Sequence, residues 1–153
     1  MKDLGKKEFY FSIEKYRPEN NLFLLVVTIN GTSFSNYETP IDLSFLINDL
    51  KLLLYTNQRE IDYLQADTVD ENIELIKKLI NLEYLELENN IYEFQNSTVR
   101  SCHEVFFFLK IPNQPFYVNP SLTKAGEGYV EIVPIETVQF ALDELIKYQN
   151  SIL

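Results

Sequence analysis

Apolar positions along the chain change period several times, and each change marks an element. Phe9, Phe11 and Ile13 alternate with Tyr10, Ser12 and Glu14, the two-residue period of a half-buried strand. Arg17-Pro18-Glu19-Asn20-Asn21 reads as a polar turn. The run Leu22–Ile29 (LFLLVVTI) is almost wholly apolar, which predicts a central strand covered on both faces. The two strands form an antiparallel hairpin, ended by Asn30-Gly31. Thr39-Pro40-Ile41-Asp42 then reads as a helix start, with Thr39 as cap, Pro40 at the first helical position and Asp42 at the positive helix end. Leu43, Leu46, Ile47, Leu50, Leu53 and Leu54 follow at helical spacing, and the helix ends near Thr56-Asn57.

The second half is less regular. Residues 59–68 fit no single period. From Asp70, a possible cap, Ile73, Ile76, Leu79 and Ile80 have helical spacing. In Tyr84–Phe94, Leu85 and Leu87 alternate with Glu86 and Glu88, and Asn89-Asn90 suits a hairpin turn. A continued helix is the rival reading, because Leu and Glu are strong helix formers. Glu104–Ile111 (EVFFFLKI) reads as a strand stopped by Pro112, Phe116–Val118 as a short edge strand, and Ser121–Gly128 as a polar loop. Tyr129–Val133 is a further strand, and Pro134 leads into a C-terminal helix over 135–149. Val138, Ala141, Leu142, Leu145 and Ile146 form its apolar stripe. Hairpins outnumber strand–helix alternations, so the fold class is α+β. It should have an antiparallel sheet, helices packed on one face and an amphipathic C-terminal helix. No repeat, linker or low-complexity tract divides residues 1–153, which read as a single domain.

Charge narrows the class of partner. Thirteen Lys and Arg against 23 Asp and Glu give a formal charge of −10. That disfavours direct nucleic-acid binding and docking on anionic membrane lipid, both of which need a basic surface. No apolar run approaches the roughly 20 residues of a membrane span, and the N-terminal MKDLGKKEFYF lacks the apolar run of a signal peptide. A single Cys precludes an intramolecular disulfide and suits the reducing cytoplasm. One His and one Cys do not supply a structural zinc site, so no metal or other cofactor is expected.

Catalytic motifs are sparse. Cys102 and His103 are adjacent, so on a strand they point to opposite faces and share no proton; no third group orients them. Gly126-Glu127-Gly128 lacks the Lys-Ser/Thr of a phosphate loop and precedes a strand instead of a helix. Acids such as Asp67, Asp70 and Glu74 serve a carboxylate enzyme only if they converge on a pocket, which spacing does not establish. No catalytic residue is assigned.

The acids are not spread evenly. Between Glu60 and Phe94 there are ten, against only Lys77 and Lys78, while the first 17 residues hold five bases and three acids. Tyr63, Tyr84 and Tyr92 lie among the acids. One reading is a solvated face. The sharper one is a docking surface for a basic partner, with carboxylates as steering charges and Tyr as anchors. The residues assigned to it are Asp62, Tyr63, Asp67, Asp70, Glu71, Glu74, Tyr84, Glu86 and Glu88. A second candidate contact patch is Phe106-Phe107-Phe108, where alternation exposes one ring unless both sheet faces are covered.

This profile, with the strand and amphipathic helix of GYVEIVPIETVQFALDELIKYQ (Gly128–Gln149), resembles the immunity proteins of bacterial contact-dependent and polymorphic toxin systems. The resemblance implies a cytoplasmic protein that binds one cognate toxin domain, often a nuclease, and blocks its active site. The acidic segment would then face a surface built to hold phosphates. No family motif carries functional residues across. The alternatives are another adaptor or phage-encoded inhibitor of a basic target, and a carboxylate-based enzyme.

Overall fold

In the computed structural model, residues 1–19, 21–56, 68–80, 91–92, 107–119 and 131–152 are described. Eight strands and three helices occur among them: β1 Lys2–Lys6, β2 Phe9–Lys15, β3 Leu22–Ile29, β4 Thr32–Asp42, α1 Leu43–Tyr55, α2 Val69–Ile80, β5 Ile91–Tyr92, β6 Phe107–Leu109, β7 Phe116–Asn119, β8 Glu131–Val133 and α3 Ile135–Ile152. The fold is α+β, with the strands in two antiparallel sheets ordered β1-β2-β3-β4 and β5-β6-β7-β8.

The first sheet follows from alternation. Leu4, Phe9, Phe11, Ile13, Phe23, Leu25, Val27 and Ile29 all turn to one face and are buried. The predicted hairpin is present, with Phe11 opposite Val27 and Ile13 opposite Leu25. β3 lies inside the sheet, and Val26 and Thr28 on its other face are buried too, as expected for an almost wholly apolar run. Asn30 and Gly31 adopt φ of 47° and 87°, the left-handed geometry of a two-residue hairpin turn. They turn β3 into β4, an 11-residue strand.

β4 corrects the predicted start of α1. Thr39, Pro40 and Ile41 belong to the strand, and Ile41 is buried opposite Phe23. Pro40 is tolerated because β4 is an edge strand. Asp42 is the cap: its Oδ1 accepts a hydrogen bond from the Ser44 amide at 2.8 Å. The expected stripe holds, with Leu43, Leu46, Ile47, Leu50 and Leu53 buried.

β1 has no alternating apolar pattern to mark it as a strand. It forms the other edge, joined to β2 through Lys7-Glu8. Gly5 makes this possible: it has a φ of 134°, and a Cβ there would stand 2.5 Å from the Phe9 carbonyl oxygen. Helix α3 packs beside β1. Lys6 Nζ lies 5.1 Å from the Phe140 ring centre and Lys2 Nζ 5.4 Å from that of Tyr148.

In the second sheet, Ile111-Pro112-Asn113-Gln114 turns β6 into β7, closed by the Gln114 amide on the Ile111 carbonyl at 3.2 Å. Asn113 takes the positive φ, 64°, that such a turn demands after Pro. β7 lies between β6 and β8, so Phe116–Val118 is an interior strand, not the edge strand expected from its short length. Phe108, Phe116, Val118 and Val133 form the inner face. They share one core with the first sheet, α1 and the α3 residues Val138, Ala141, Leu142 and Leu145. Phe108 bridges the sheets, its ring centre 5.8 Å from Phe9 and 5.7 Å from Phe116, both edge to face. Leu109, Ile111 and Tyr117 on the opposite face are buried as well.

Two sets of polar contacts tie separate elements together. Lys110 donates to the carbonyls of Leu54 at 3.0 Å and Thr56 at 2.6 Å, placing a cation on the negative end of α1. Asn30 Nδ2 donates to the Ile132 carbonyl at 3.1 Å, tying the β3–β4 turn to β8.

Candidate functional site

The acidic segment meets the described structure in α2. Its start is fixed by Thr68, whose hydroxyl accepts the Glu71 amide at 3.1 Å. Thr68, not the possible cap Asp70, is therefore the residue that caps α2. Thr68 and Glu71 have the spacing of a capping box, a signal that would have located this start. Asp70 and Glu71 fall in the first turn, where the helix dipole favours negative charge.

Asp70, Glu71 and Glu74 are all exposed. At 100° per residue they share one side of α2, and Asn72 lies opposite. Asn72 is 2% exposed. Its Nδ2 donates to Gln114 Oε1 at 2.8 Å and to the Tyr117 hydroxyl at 3.2 Å, and Tyr117 donates to the same Gln114 oxygen at 2.6 Å. A buried amide is costly to leave unmade, so this triad fixes which side of α2 meets the second sheet. The acids are thereby held toward solvent. Burial raises the Tyr117 pKa above 10.0, and the Asn72 hydrogen bond acts the other way.

The side chains brought together are thus Asp70, Glu71 and Glu74, three like charges within about one turn. Like charges three and four residues apart repel, at about 0.2–0.5 kcal/mol per pair. The dipole offsets part of that for Asp70 and Glu71. Asp62, Tyr63, Asp67, Tyr84, Glu86 and Glu88 lie outside the described residues, as do Cys102, His103 and the Gly126–Gly128 loop. Of the three-Phe run, Phe108 is fully buried in the core. The reading from sequence missed Asn72, Gln114 and Tyr117, because a polar residue inside a helix carries no sign of what it will face.

Among the described residues, no group of three or more His, Cys, Asp or Glu is placed to hold a metal ion. No helix there is long and apolar enough to cross a membrane. A recess of about 480 Å³ opens where the β1–β2 and β3–β4 turns meet, lined by Lys7, Glu8, Tyr10, Thr28, Asn30 and Gly31. One of these is a carboxylate, so the recess does not bring acids together. Compared with protein-family models, with curated proteins and with solved structures, the chain matches none.

Proposed function

We propose that this chain is an immunity-type inhibitor: it binds a cognate toxin domain with a basic active-site surface and blocks it stoichiometrically, without a reaction of its own. The observation that carries the proposal is the exposed acidic side of α2, held outward by the buried Asn72 triad. It belongs to a segment with ten acids and two bases, in a chain of net charge −10. A nuclease cleft is built to attract phosphate. Carboxylates on a fixed helix are drawn in by the same field and occupy the substrate's place. The protein works in the cytoplasm, where a chain with one Cys needs no oxidising environment.

The proposal requires a toxin domain encoded directly upstream of this gene, and the test uses that domain. Co-expression should restore growth of cells that the toxin domain alone arrests, and the two proteins should co-purify in equal amounts. Replacing Asp70 and the two Glu together (Asp70→Asn, Glu71→Gln, Glu74→Gln) should slow association about ten-fold at low salt, in the range of electrostatic steering. Dissociation should change less, and the salt dependence of association should flatten. Unchanged rates with the same salt slope would show that this face is merely solvated. Absence of protection and of co-purification would overturn the inhibitor reading itself.

A further inference from the structure

Helix α1 buries one side in the core and leaves an apolar stripe on the other. Phe45 is 56% exposed, Leu52 42% and Tyr55 64%. With Asn48 they stand at spacings of three, four and three residues, the pattern of a helix–helix seam. Tyr55 does not swing freely: its hydroxyl donates to Gln139 Oε1 at 3.0 Å, and Gln139 donates onward to Asp143 at 3.0 Å. The exposed ring is already ordered, which lowers the entropic cost of placing a partner on it.

We infer that this stripe is a self-association surface, occupied by α1 of a second copy in antiparallel two-fold pairing. Two observations select a second copy. The first is charge. Every acidic face of this chain repels its own copy, whereas the outward side of α1 carries a single charge, Lys51, among Phe45, Asn48, Leu52 and Tyr55. The second is register. A two-fold axis through the middle of the stripe sets Phe45 of each copy against Tyr55 of the other, and Asn48 against Leu52. The contact is therefore complementary to itself, as an isologous interface must be.

Area sets the strength. At these exposures each ring offers roughly 100–150 Å². With Leu52 and the polar flank, each copy buries about 500 Å², or about 1,000 Å² in total. That is the lower limit for a specific interface and corresponds to a weak dimer, with a dissociation constant of roughly 10 μM to 1 mM.

The net charge adds a signature. Two chains of −10 repel, and salt screens that repulsion, so the dimer strengthens as salt rises. Attraction to a basic partner weakens with salt, so the two interactions are told apart by sign. Sedimentation equilibrium of the full chain, from about 10 μM to about 2 mM at low and high salt, reads it directly. The mass should climb from 18.0 kDa toward twice that, further at high salt. Leu52→Glu, or Phe45→Ser if that variant does not fold, should raise the dissociation constant at least about ten-fold. Phe140→Ser, at an aromatic on α3 that is 37% exposed, should leave it unchanged. A mass of 18.0 kDa throughout overturns the inference. So does a dimer that dissolves with salt, or one that Phe140→Ser breaks and the α1 variants spare.

Discussion

Phe108→Ala tests whether the two sheets fold as one unit. The Phe108 side chain is fully buried, with edge-to-face contacts to Phe9 in the first sheet and Phe116 in the second. Truncating a buried Phe costs about 3–5 kcal/mol, from lost transfer energy and the cavity left behind. That is a large fraction of the 5–15 kcal/mol that typically separates folded from unfolded states. With a urea slope of about 2 kcal/mol per molar, the midpoint should fall by roughly 1.5–2.5 M. Unfolding is followed by far-ultraviolet circular dichroism and by tyrosine fluorescence, which ten Tyr and no Trp make the natural probe. Both signals should move in one coincident transition, because a shared core makes neither sheet independent. The interface term itself comes from the cycle of Phe9→Leu, Phe108→Leu and the double variant. Its coupling should be about 0.5–1.5 kcal/mol, the worth of an aromatic pair beyond its burial. Two separated transitions, or a coupling indistinguishable from zero, would refute the single shared core.

Two further perturbations probe the polar fastenings. Lys110→Met removes the donor to the Leu54 and Thr56 carbonyls and should cost about 1–2 kcal/mol by urea midpoint. The loss is partly offset because burial already lowers the Lys110 pKa, a sign that its charge is held at some desolvation cost; no change in midpoint would deny the capping role. Tyr117 is expected to govern alkaline stability: its folded pKa lies above the unfolded 10.0, so its contribution is complete below pH 10 and is lost as pH rises through the folded value. Wild type should therefore lose more stability than Tyr117→Phe as pH rises above 10, and parallel curves would contradict the assignment.

What was legible from sequence divides by the kind of signal. Where apolar residues alternate or recur every three to four positions, the elements were found: Phe9–Ile13, Leu22–Ile29, the Leu stripe of α1 and the terminal helix. β4 was missed because Thr32–Thr39 is largely polar, and because Thr39-Pro40 imitates a helix start. The stronger clue was Asn30-Gly31, which ends a strand and also demands another after it. β1 is short and Lys-rich, and its strand geometry depends on Gly5 and on a helix some 140 residues away, which no local window contains. The acidic segment was visible as composition. That its α2 part points three carboxylates outward depends on Asn72 meeting Gln114 and Tyr117, a contact between residues more than 40 positions apart.

The packing of α3 against β1 has a consequence for the order of events during synthesis. β1, β2 and β3 are joined by short turns and pair as soon as they leave the ribosome. The helix that covers their edge and inner face lies at the other end of the chain. Until Ile135–Ile152 has been made, the growing chain displays a lysine-bearing strand edge and leaves open the part of the apolar sheet face that α3 covers. At synthesis rates of about 5–20 residues per second that interval lasts several seconds, long compared with hairpin closure in microseconds. The lysines of β1 then have two successive duties. While the chain is incomplete, their charge opposes pairing with another nascent sheet. Once α3 arrives, Lys2 and Lys6 settle over Tyr148 and Phe140 and hold the late helix in place.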